Sequence, residues 1–140
     1  MSARSFVDTN VLVYLFDSSA PDKQARAREL IAERGPAGEL VLSTQVLQEL
    51  FVTVTRKLER PLSMEAAEGV VRRLTAYPVV STTVGLVTAA IALARAHRVS
   101  LWDALIVEAA REAGCEELLS EDLADGVSYA GVRVKNPFGS

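Results

Sequence analysis

Short apolar runs alternating with stretches long enough for helices constrain this chain more than any other feature of its sequence. Phe6-Val7, Leu40-Val41-Leu42, Val79-Val80, Glu117 to Ser120 and Val132 to Lys135 read as five strands, each too short to build a core alone. The intervening segments carry apolar residues at helical spacing. Ala25, Leu30 and Ile31 give Asp22 to Arg34 one apolar side after Pro21, a residue suited to a first helical turn. Val46, Leu47, Leu50, Phe51, Val54 and Leu58 form the stripe of a helix that Ser43 or Thr44 can cap. Ser63 can cap Met64 to Ala76, Thr82 or Thr83 opens a helix reaching His97, and a last helix runs from Trp102 to Ala113 before Gly114. Strands alternating with helices predict an α/β fold: a three-layer α/β/α sandwich on a short-stranded, five-strand parallel sheet, with right-handed crossovers and helices on both faces.

With 140 residues the chain fits one domain, residues 1–140, that buries about two-thirds of its unfolded surface without disulfides or structural metal. A lone cysteine, Cys115, excludes an internal disulfide and a thiolate cluster. The first residues lack the apolar segment of a secretory leader, and no run approaches a membrane span, so the expected compartment is the cytoplasm. A net charge of −3 and a pI near 5.2 argue against an indiscriminate polyanion binder. Arg56, Lys57 and Arg60, then Arg72 and Arg73, then Arg95 and Arg98, form small basic groups whose ordinary reading is solvated helix faces.

Four acids fall at positions that matter in such a fold. Asp8 follows the first strand, Glu49 lies beside the stripe of the third helix, Asp103 opens the last helix and Asp122 follows the fourth strand. Each has an ordinary explanation. Asp8 can close an Asx turn, Glu49 can be solvated, Asp122 can be turn chemistry before Gly126, and Ser100-x-x-Asp103 has capping-box spacing. Their joint placement carries the functional reading, because strand four beside strand one would put Asp8 and Asp122 in the crevice where open α/β sheets bind ligands. Unit charges ~4 Å apart repel by about 4 kcal/mol at an effective dielectric near 20. Protonation or a hard divalent cation must offset that repulsion, and carboxylates without a His/Cys set favour Mg²⁺ or Mn²⁺. Such a site suits phosphodiester hydrolysis.

Phe-Val-Asp8-Thr-Asn10-Val-Leu, Glu49 on a helix, Trp-Asp103-Ala-Leu-Ile and Leu-Leu-Ser120-Glu-Asp122-Leu-x-Asp-Gly resemble the PIN-domain nucleases, especially the VapC-type toxins of bacterial toxin–antitoxin pairs. The resemblance spans nearly the whole chain. It implies a Mg²⁺- or Mn²⁺-dependent endoribonuclease with the acidic quartet Asp8, Glu49, Asp103 and Asp122, of which Asp8, Asp103 and Asp122 would bind metal. Thr9, Asn10 and Ser120 would support the quartet, and Asp125 would be an extra ligand or water-positioning acid. The implied partners are RNA, a cognate antitoxin protein lying over the cleft, and a second copy in a homodimer. The competing readings are a catalytically silent PIN scaffold, a receiver-like magnesium-binding module, whose phosphoacceptor acid is missing after Val79-Val80, and a small phosphatase, which would prefer an acid where Asn10 stands. Of the remaining singular residues, His97 reads as a helix-end residue, Trp102 as packing ahead of a base-stacking platform, and Cys115 as inert.

Overall fold

The computed structural model describes residues 4–139, so Met1 to Ala3, part of the segment read above for a leader, lie outside it. The chain runs β1 (Ser5–Val7), α1 (Thr9–Val13), a single 3-10 turn (Tyr14–Phe16), α2 (Pro21–Arg34), β2 (Leu40–Ser43), α3 (Thr44–Arg56) and α4 (Met64–Leu74). It continues through β3 (Val79–Val80), α5 (Val84–His97), α6 (Leu101–Glu112), β4 (Glu117–Leu119), β5 (Ser128–Tyr129) and β6 (Val132–Lys135).

These strands form one sheet in the order β3-β2-β1-β4-β6-β5. The five strands expected from the sequence are there and pair in parallel, Phe6 lying between Val41 of β2 and Leu118 of β4. The sheet has a sixth strand, β5, which the sequence reading missed; it runs antiparallel to β6 with Tyr129 opposite Val132. Its turn is Ala130-Gly131, with φ of 50° and 87°. Positive φ at both central residues marks the tight hairpin turn whose twist suits antiparallel strands, but its usual sequence signal is Asn-Gly or Asp-Gly. An alanine in that place hides it.

Strands β1 and β2 are buried along their whole length, as expected of parallel strands covered on both faces. The connections from β1 to β2 and β2 to β3 step one way along the sheet, and the connection from β3 to β4 steps back past β1. Right-handed crossovers therefore place α1 to α4 and α5 to α6 on opposite faces. Helix α6 is apolar nearly all round, with Ala104 to Ala110 buried, and packs on β2, β4, β6 and α5. Side-chain caps start five helices: Asp8 for α1, Ser43 for α3, Ser63 for α4, Thr83 for α5 and Ser100 for α6 each accept a hydrogen bond from a backbone N–H of the first turn. Among the described residues no single helix is long and apolar enough to cross a membrane.

Candidate functional site

The connections reverse direction at β1 and β4, and the crevice beyond their C-terminal ends is where an open α/β sheet holds a ligand. A cleft of about 730 Å³ opens there. Asp8, Asn10, Glu49, Asp103, Glu121 and Asp122 line it, brought from the ends of β1 and β4, the middle of α3 and the first turn of α6. Residues 112 positions apart in the chain meet because β1 and β4 pair directly.

Asp8 caps α1. Its Oδ1 accepts the Thr9 N–H at 2.7 Å, and its Oδ2 accepts the Ser120 hydroxyl at 2.8 Å and the Asn10 amide at 3.2 Å. An ionised carboxylate offers about four lone-pair positions, so roughly one remains for a ligand. The residue is 7% exposed, and burial pushes its pKa from 3.8 to about 6. Bonds from Ser120 and Thr9 pull the value down, while the charges of Glu49 and Asp122 push it up.

Ser120 is fully buried and joins the two strand ends. While donating to Asp8, its Oγ accepts the N–H groups of Asp122 at 3.2 Å and Leu123 at 3.3 Å, which fixes the turn carrying Asp122. Asn10 spans the same gap: its amide donates to Asp122 at 3.1 Å and its Oδ1 accepts the Glu121 N–H at 3.0 Å. On the far wall Glu49 Oε1 accepts the Thr9 hydroxyl at 2.7 Å, and Gln45, one turn earlier on α3, reaches Oε2 at 3.4 Å. Asp103 accounts for only half of a capping box: its N–H donates to Ser100 Oγ, and among the described residues its carboxylate makes no return bond. That leaves the carboxylate to the cleft.

Asp125 lies elsewhere. It is exposed, does not line the cleft, and its Oδ1 accepts the Asn136 N–H at 2.8 Å, tying the loop after β4 to the end of β6. His97 stands edge-on to Tyr129, 5.4 Å between ring centroids, away from the cleft. Cys115 is buried, and that burial pushes its thiol up to about 11. Of the basic groups noted above, Lys57 alone reaches the cleft.

Sequence reasoning missed the floor and rim beside Asp122. Glu121 accepts the Tyr14 hydroxyl at 2.6 Å and the Lys23 ammonium at 2.5 Å, and Lys23 lies 5.0 Å over the Tyr14 ring. Against the upward pull of burial, Lys23 and Tyr14 hold Glu121 below the usual carboxylate range. This acid is thus neutralised internally, unlike its neighbours. Trp102 was read as packing, and the structure corrects that: it is 63% exposed on the cleft wall. Leaving that much indole in water forgoes roughly 3 kcal/mol of burial.

Among the described residues none of Asp8, Glu49, Asp103 and Asp122 forms an ion pair. Four all-oxygen donors around one cleft, none of them paired with a Lys or Arg among the described residues, fit a hard divalent ion. No three His, Cys, Asp or Glu side chains among the described residues enclose an ion on their own. Magnesium does not need that, because it keeps several waters and takes one or two direct carboxylates.

The family profile described as PIN domain matches residues 5–124, which hold all four acids. The chain belongs to the PIN-domain family. Among solved structures this PIN domain is similar to VapC20 of Mycobacterium tuberculosis, a toxin that cleaves the sarcin-ricin loop, with a TM-score of 0.71 and 23% identity over 92% of this chain and 98% of that one. It is similar also to a toxin–antitoxin complex from Klebsiella pneumoniae, with a TM-score of 0.70 and 17% identity over 97% and 99% of the two chains. A DNA-bound VapBC complex from Salmonella typhimurium gives 0.68 and 18% over 97% and 99%. At such identities the likeness concerns the fold. No curated protein matches the sequence. The receiver-like alternative loses its basis, since this PIN domain orders its strands β3-β2-β1-β4-β6 where that class orders them 2-1-3-4-5.

Proposed function

We propose that this PIN domain is a metal-dependent endoribonuclease acting as the toxin of a VapBC-type toxin–antitoxin pair. The observation that carries the reading is the meeting of Asp8, Glu49, Asp103 and Asp122 around one cleft with none of them in an ion pair among the described residues. Asp8, Asp103 and Asp122 would hold Mg²⁺ or Mn²⁺. When bound, the ion supplies a lowered water pKa and offsets charge developing on the phosphate oxygens.

The chain's own residues do the rest. Ser120 and Asn10 hold Asp8 and Asp122 in fixed relation, so the site does not reorganise as a phosphate arrives. Thr9 occupies Oε1 of Glu49, and Oε2, held only by the long 3.4 Å bond from Gln45, would orient a water or serve as a further ligand. Neutralised acids also remove the barrier an acidic cleft sets against RNA. Asp125 would act through the loop it ties to Asn136, on which Asp122 also sits.

The partners that follow are RNA, a cognate antitoxin in complexes of the kind seen among the structural neighbours, and a second copy of the chain, all in the cytoplasm. The test is incubation of the purified protein with RNA in chelator, Mg²⁺ or Mn²⁺. Internal cleavage that needs either metal supports the reading. Cleavage persisting unchanged in chelator, or none with either metal, removes it.

A further inference from the structure

An exposed tryptophan on the wall of an acidic cleft needs an explanation that packing does not supply. Trp102 is 63% exposed, lines the same cleft as the four acids, and immediately precedes Asp103. Its backbone is fixed. Ser100 caps the helix that carries it, and the Trp102 carbonyl accepts the Gln45 amide at 3.2 Å, while the same amide reaches Glu49. The indole is thus an aromatic face held in register with two of the acids, on a helical backbone that need not order further when a ligand arrives. Successive helical residues point about 100° apart at 1.5 Å rise, so a ring on Trp102 and a phosphate at Asp103 would belong to neighbouring parts of one ligand.

From its contact with Trp102 the cleft follows α3 from Gln45 to Lys57, twelve positions or about 18 Å of helix. Lys57 is the only Lys or Arg among the described residues that line it. An aromatic platform beside the acids and a cation about three turns further along α3 suit a strand with unstacked bases and a charged backbone. Sequence-tolerant stacking on aromatic side chains is how proteins take single-stranded nucleic acid, whereas a duplex keeps its base faces covered.

We propose that Trp102 is a base-stacking subsite that takes a nucleotide of single-stranded RNA beside the phosphate at Asp103. The proposal rests on the ribonuclease reading above. Trp102 is the only tryptophan in the chain, so its fluorescence reports on this position alone.

The test titrates wild-type protein with short single-stranded RNA oligonucleotides of randomised sequence, with Ca²⁺ in place of Mg²⁺, following tryptophan emission and, separately, binding by a label on the RNA. Cleavage kinetics of wild type, Trp102→Ala and Trp102→Phe are then compared in Mg²⁺. Stacking is expected to quench the emission in step with binding. In Trp102→Ala it should raise Kd and KM about 5- to 150-fold with kcat nearly unchanged, the aromatic Trp102→Phe restoring most of the loss. Melting temperature and Mn²⁺ affinity should match wild type, since the side chain is exposed and is not a ligand. RNA that binds and is cut while emission and KM stay put overturns the stacking subsite and leaves the ribonuclease reading standing. Emission that responds to protein concentration but not to RNA also overturns it, assigning Trp102 to contact between copies. RNA neither bound nor cut removes both readings.

Discussion

Asp8 is a buried acid whose proton affinity depends on the fold. Its pKa lies near 6 in the native protein against 3.8 ordinarily, so the native state binds the extra proton between those values. The sign follows from linkage: this group's contribution to stability is complete below pH ~4 and is lost as pH rises through ~6. The upper bound on the loss is about 3 kcal/mol. Metal-free wild type should therefore lose stability relative to Asp8→Asn between pH 4 and 7, read by urea unfolding of both in chelator. Equal slopes would show that Asp8 titrates normally. Added Mg²⁺ or Mn²⁺ should reverse the loss at pH 7 and do little at pH 5, because a carboxylate ligand must first give up its proton.

Ser120 is the second residue on which the site turns. Replacing it by alanine leaves Asp8 without its hydroxyl donor and two turn N–H groups without their acceptor. Ser120→Ala should cost about 1–3 kcal/mol in unfolding free energy and lower the proposed cleavage while keeping the proposed metal ligands. A variant as stable and active as wild type would place the order of this crevice elsewhere.

At the scale of elements, the β5–β6 hairpin turns through Ala130, an exposed residue at φ 50°, and Gly131. A non-glycine residue in that region carries a penalty of roughly 1 kcal/mol that asparagine or glycine relieves. Ala130→Asn should raise stability by about that amount, a rise of about 2–4 °C in melting temperature. An unchanged or lower value would mean that the turn relaxes differently. This hairpin is also where the sequence was least legible. Ser128-Tyr129 is too short to show alternation, and Ala-Gly lacks the usual turn signature. The longer elements were readable because Ser43, Ser63, Thr83 and Ser100 announce helix starts and the stripe of α3 has helical period. In the site, Asp8, Asn10, Ser120 and Asp122 stood out because strand-end motifs are local in sequence. The exposure of Trp102 and the internal neutralisation of Glu121 by Lys23 and Tyr14 depend on how helices pack, which no local pattern records.

On the scale of the whole molecule, the sheet order explains why residues from distant parts of the chain share one cleft. β1 and β4 are neighbours at the reversal of the crossovers, α3 brings Glu49 from one face, and α6 brings Asp103 from the other. The central claim is that the carboxylates collected there cut RNA through a bound divalent ion. The most direct measurement is the rate of RNA cleavage in Mg²⁺ by wild type, Asp8→Asn and Asp103→Asn, each first shown to be folded by its melting curve. The account predicts cleavage by wild type and a fall of at least 10²-fold in both variants, the scale expected when groups that stabilise transition-state charge are removed. Variants that remain folded and cut RNA at the wild-type rate would contradict it.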